Sequence, residues 1–146
     1  MTTGKTTWIA VLMLGALASG QALITASAMK RPAESEFGVG PRTSANGTFV
    51  AMLVPVEPLR VRQMQSLTVV ITDARMHPID HAQITIDGGM PQHRHGLPTK
   101  PRVTRNTGSG VYEIEGVRFN MGGWWEFRLS ITTPTGTDTI TFNLAL

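Results

Sequence analysis

From Phe49 to the C-terminus, apolar residues recur with a period of two. Leu67, Val69 and Ile71 alternate with Thr68, Val70 and Thr72; Ala82, Ile84 and Ile86 alternate with Gln83, Thr85 and Asp87. The cleanest case is Trp125, Phe127, Leu129 and Ile131 set between Glu126, Arg128 and Ser130. Successive side chains of a strand point to opposite faces, so each run predicts a strand with one buried face. Phe49 to Val54 reads as a first strand, ended by Pro55 and Pro58, and Val103 seeds a weak strand after the Pro98 to Pro101 loop. Tyr112 and Ile114 form another inward face, which Val117 and Phe119 continue after Gly116. Ile140, Phe142, Leu144 and Leu146 close the chain. Turns are expected around His77-Pro78-Ile79-Asp80, from Asn106 to Gly110 and from Pro134 to Asp138. No stretch shows the spacing of an amphipathic helix.

These runs predict an all-β fold, an immunoglobulin-like antiparallel β-sandwich of about seven or eight short strands. One-sided alternation argues against a parallel sheet covered by helices, whose strands would be apolar on both faces.

Upstream of Phe49 the pattern changes twice. Lys5 precedes an apolar stretch from Trp8 to Leu17, and small residues follow, ending in Ala26-Ser27-Ala28. That order of charged, apolar and small regions matches a secretory signal over 1–28, cleaved after Ala28. The alternative is an uncleaved anchor over 8–29, which is long enough to span a bilayer. Either way, the domain is expected outside the cytoplasm, periplasmic or otherwise extracytoplasmic, with membrane contact only if the leader stays attached. Residues 29–46 are rich in Lys, Arg, Pro, Glu, Gly and Ser and lack apolar periodicity, so they read as a flexible tether. The folded domain is expected over 47–146.

Composition narrows the function classes. Without Lys5 the chain carries 12 basic and 10 acidic side chains, and the arginines are scattered from Arg42 to Arg128. A nucleic-acid interface, which needs a concentrated cationic surface, is not expected. The chain has no cysteine, which excludes disulfides, thiolate metal sites and a cysteine nucleophile. Ser109 lies between glycines in a turn with nothing to activate it, and Glu113 and Glu115 fall on the solvent face of a strand. The chain is therefore not expected to be an enzyme.

The segment Met90-Pro91-Gln92-His93-Arg94-His95-Gly96 follows a strand ending at Asp87-Gly88-Gly89, where a sandwich presents its loops. In an extended backbone, His93 and His95 would put both imidazoles on one side, about 7 Å apart at Cβ. A thioether at Met90 beside imidazoles suits copper, Cu(I) above all and Cu(II) as the alternative, better than calcium or magnesium. Met121, in the second glycine-rich turn Met121-Gly122-Gly123-Trp124, is a candidate fourth ligand. Trp124 is expected either at the rim or as a shield over the site, and Trp125 in the core. His loops are common, however, and Met90 packing under its own loop with Met121 in the core is the competing reading. His77 and His81 flank a turn and read as exposed side chains.

The runs Asp87-Gly88-Gly89-Met90-Pro91-Gln92-His93-Arg94-His95-Gly96 and Gly110-Val111-Tyr112 through Met121-Gly122-Gly123-Trp124-Trp125-Glu126 resemble the YtkA-like and FixH-like domains of bacteria. The resemblance extends from about Phe49 to Leu146. It implies a small exported or membrane-anchored immunoglobulin-like domain, similar in architecture to periplasmic copper-resistance proteins. It also implies Met90, His93, His95 and Met121 as copper ligands and an envelope protein that donates or receives copper as partner. The doubled Trp124-Trp125 departs from the pattern. The alternative is a structural or protein-interaction domain of the envelope, such as a FixH-like assembly factor, that binds no metal.

Overall fold

The computed structural model describes residues 30–146; the leader expected over 1–28 lies outside them. No helix among the described residues is long and apolar enough to cross a membrane. Among the described residues, nine strands follow a single 3-10 turn at Glu34–Glu36: β1 (Arg42–Thr43), β2 (Phe49–Pro55), β3 (Met64–Asp73), β4 (Gln83–Met90), β5 (His95–Gly96), β6 (Arg102–Gly108), β7 (Val111–Arg118), β8 (Trp124–Thr133) and β9 (Gly136–Ala145). They form two antiparallel sheets, one in the order β1-β2-β3-β7-β6 and the other β5-β4-β8-β9. The chain is the expected β-sandwich.

The alternation read from the sequence is the alternation of burial. Phe49, Ala51 and Leu53 of β2 and Leu67, Val69 and Ile71 of β3 face Phe127, Leu129 and Ile131 of β8 and Ile140, Phe142 and Leu144 of β9 across one core. Each large side chain taken out of water contributes about 1.5–3 kcal/mol. The change of phase in β7 is a β-bulge. Pairing runs Gln65↔Val117 and then Leu67↔Ile114, so β7 carries an extra residue. Gly116, at φ +82°, absorbs it in a backbone region that side chains disfavour, and Tyr112, Ile114, Val117 and Phe119 all stay buried.

Two expectations change. The last turn is shorter than Pro134 to Asp138: Thr133 pairs with Gly136, leaving Pro134 and Thr135 as the loop. Asp138 consequently falls on the inward face of β9 and is buried, 4% exposed. The segment expected as a tether is docked from Phe37 onward. Phe37 bridges to Asn143, β1 pairs with β2, and the Leu53 N–H donates to the Val39 carbonyl at 2.9 Å. Part of the reason is apolar, since Phe37 packs on Trp124 and Val39 against the core, and part is polar, with no periodicity to announce either. Asp138 accepts hydrogen bonds from the backbone N–H of Asn46 (3.1 Å) and Thr48 (3.3 Å) and from the Asn46 side chain (3.2 Å).

The turn between β3 and β4 is held by Tyr112, whose hydroxyl donates to the Ile79 carbonyl at 2.6 Å and accepts from the Ala82 N–H at 3.1 Å. His77 and His81 are exposed there, and Asp73 takes both the backbone N–H of His77 (2.9 Å) and its ring Nδ1 (3.0 Å).

Candidate metal site

The site is built by the way β4 ends. Gly88 and Gly89 lie where side chains cannot. A Cβ on Gly88 would come 2.7 Å from the Glu126 carbonyl oxygen, and one on Gly89 2.8 Å from that of His95. These glycines let the chain turn back closely enough for β5 to pair with the end of β4. The turn is a single helical loop: the Met90 carbonyl accepts from the N–H groups of His93 (3.0 Å) and Arg94 (2.9 Å), and Arg94 takes a left-handed conformation, φ +55°.

The register that results is Gly89↔Gly96 and Met90↔His95. Directly opposed residues of an antiparallel pair share a face, with Cβ atoms about 4.5–5.5 Å apart. A thioether and an imidazole are thus paired by strand register. His93 joins them through the turn rather than through the extended spacing expected from sequence. Its ring is stacked beside that of His95, with centroids 5.9 Å apart and planes 26° from parallel. His93 is exposed and His95 half-buried. The His95 Nδ1 lies 3.3 Å from the Gly96 carbonyl oxygen; the tautomer protonated there leaves the Nε2 lone pair free for a ligand, as metal-binding histidines are commonly held.

Beneath the imidazoles, the two glycine-rich loops meet. Met90 is 1% exposed and part of the core. Its terminal methyl lies 2.7 Å from where a Cβ of Gly123 would stand. Met121 is half-buried against the core, and its carbonyl accepts from the Trp125 indole N–H at 3.0 Å. The His95 ring meets Trp125 edge to face at 5.6 Å, and Trp125 meets Phe119 in the same way at 5.2 Å.

The tryptophan that touches the site is therefore Trp125. Trp124, expected at the rim or over the site, points to the outer face of the four-stranded sheet. There it is buried under Phe37 (ring centroids 6.5 Å apart), and its indole N–H donates to the Asn143 side chain at 2.9 Å. Strand alternation sends neighbouring tryptophans to opposite faces, and the hairpin lies over the inner one.

A cleft of about 240 Å³ opens beside the hairpin between Asp87, Glu126, Arg128, Arg94 and His95. Arg128 holds Asp87 and Glu126, each at 2.8 Å. Its hydrogen bond keeps the Asp87 carboxyl below its ordinary range. Sequence reading did not assemble this cluster, although period-two alternation already puts Glu126 and Arg128 on one face. What it lacked was the pairing Asp87↔Arg128 across β4 and β8.

Among the described residues no three His, Asp or Glu side chains converge as a metal cluster. The donors at the hairpin are two imidazoles and, on its core side, the Met90 thioether; Met121 lies against the core, joined to Trp125 through its carbonyl. Imidazole is a donor type that copper, zinc and other transition metals share. The Met90 thioether, sealed on the core side, can take part only from beneath.

The family model for YtkA-like domains matches residues 44–130. No curated protein matches the chain. Among solved structures, one titled "ZirS C-terminal Domain" aligns over 99% of this chain and 97% of its own, at 11% identity and a TM-score of 0.37, too remote to bear on function. The family match spans more than half of the chain, from Ser44 in the docked arm to Ser130 in β8, and includes both loops of the candidate site: this protein belongs to the YtkA-like family.

Proposed function

We propose that this domain binds copper at the hairpin tip and acts as an extracytoplasmic copper-binding or copper-delivery module. His93 and His95 supply imidazole, with the thioethers of Met90 and Met121 on the inner side. The observation that supports the reading is that one hairpin brings two imidazole residues and a methionine side by side: His95 opposite Met90 by register, and the His93 ring beside that of His95. The exposed His93 imidazole would meet an incoming ion first, and an edge-on indole at Trp125 shields the inner side of the half-buried His95 from water. A carrier needs this arrangement, with one exposed side from which a partner can take the metal and one covered side. The partner on this reading is an envelope protein that donates or accepts copper.

One observation favours the rival reading. Met90 is sealed in the core, which is what a purely structural methionine in an interaction domain would show.

The test is anaerobic Cu(I) titration of residues 29–146 against a competing chelator, alongside the double substitution His93→Ala and His95→Ala. One equivalent bound by the parent and lost in the variant is the expected result. Binding no stronger than that of the variant would leave the interaction domain as the reading.

A further inference from the structure

A two-sheet sandwich has four edge strands, and an uncovered edge offers its N–H and C=O groups to another chain. Three of the edges here are blunted. β1 is two residues long, and β6 is broken by register shifts between Val103 and Arg105 and between Asn106 and Gly108. β9 is covered by the docked arm, with Gly38 N–H donating to the Asn143 carbonyl at 2.8 Å and Ala45 N–H to the Thr139 carbonyl at 2.9 Å.

The fourth edge is hydrogen-bonded over only part of its length, although β6 of the other sheet passes close beside β4. β5 pairs only with Gly89 and Met90, and the Leu97 N–H reaches the Gly88 carbonyl at 3.0 Å. That bond shows which residues of β4 turn away from β8. Gly88 does, and by alternation so do Ile86 and Ile84. Among the described residues, the backbone groups of Ile84 and Ile86 have no hydrogen-bond partner on that side. The stretch Gln83-Ile84-Thr85-Ile86-Asp87 contains no Lys, Arg or Pro, and its one charge is already held by Arg128. Lysine, proline and a bulge, three of the usual guards against edge pairing, are missing from it.

We propose that this edge pairs with the same edge of a second copy, antiparallel about Thr85, joining two four-stranded sheets into one. The occupant is argued from self-complementarity. With Thr85 on the two-fold axis, Ile84 of each copy stands opposite Ile86 of the other, and all four residues present free N–H and C=O groups to each other. On the inner side, aliphatic side chains meet aliphatic side chains. On the outer side, Asp87 stands opposite Gln83 of the other copy, so a carboxylate meets an amide donor and no like charges are opposed. A register shifted toward the N-terminus is disfavoured because the Ala82 N–H already donates to Tyr112. Leu97 bounds the stretch at the other end. Closed two-fold pairing uses up both edges, so the assembly stops at a dimer. The proposal is independent of copper.

The test is sedimentation of the full domain with Thr85→Lys and Thr85→Glu. Thr85 is exposed, so neither change disturbs the core, and each sets like charges across the axis. The expected result is a concentration-dependent wild-type dimer, loss of the dimer in each variant alone, and its return as a heterodimer when the two are mixed. Slow amide exchange at Ile84 and Ile86 in the dimer should become fast in the variants. A wild-type chain still monomeric at about 1 mM, a dimer that persists in Thr85→Lys, or a mixture that forms no heterodimer would overturn the proposal.

Discussion

The contact between Met90 and Gly123 gives a quantitative check on how the site is built. A Cβ at position 123 would lie 2.7 Å from the Met90 methyl, and φ there is +128°. Gly123→Ala therefore carries two separable costs. Backbone strain at a conformation reserved for glycine is about 1–3 kcal/mol. The clash is the smaller cost, about 1 kcal/mol, because the atom it meets is the end of the flexible Met90 side chain, which can shift. Met90→Ala removes a side chain that is 1% exposed and should cost about 2–5 kcal/mol. In the double variant the methyl that clashes is gone, so only the strain term of Gly123→Ala should remain. The expected coupling is about 1 kcal/mol, read from urea unfolding monitored by tryptophan fluorescence. Additivity within about 0.5 kcal/mol would refute the reasoning: Met90 would then not fill the notch above Gly123, and its thioether would be free on the imidazole side.

The Asp138 carboxyl lies at about 2, below its ordinary 3.8, held there first by the Ser44 hydroxyl and then by backbone N–H groups of Thr139 and Thr48. A depressed native value means the contribution to stability is complete above pH 3.8 and is lost as pH falls toward 2. Asp138→Asn should thus be less stable at neutral pH and lose less on acidification, and identical acid limbs in urea titrations of the two proteins would contradict this. Tyr112→Phe removes the hydroxyl that joins Ile79 and Ala82. It should cost about 1–3 kcal/mol, with faster amide exchange at Ala82 as the local readout.

Most of the sandwich was legible because its signal is local. A buried face imposes period two on the residues that form it, and the inward run resumes at Val117 after Gly116, a change of phase that only the pairing with β3 identifies as a bulge. The docked arm was not legible. Its anchors are isolated contacts with segments some ninety residues away: Phe37 on Trp124, and backbone N–H groups of Asn46 and Thr48 on the Asp138 carboxylate. Nothing in the composition of residues 29–46 distinguishes that from a tether.

For the site, the sequence by itself supplied the donors: two imidazoles and a thioether in one short loop, a second methionine in another, and no cysteine. It also determined that Trp124 and Trp125 part to opposite faces, since alternation allows nothing else. Only the tertiary structure decided which tryptophan meets His95, because that depends on which face the hairpin covers. Only strand register set Met90 opposite His95, and only the approach of the Gly123 loop sealed the Met90 thioether on its core side. Donor identity is a property of residues, whereas register, face and burial are properties of pairings between segments far apart in the chain.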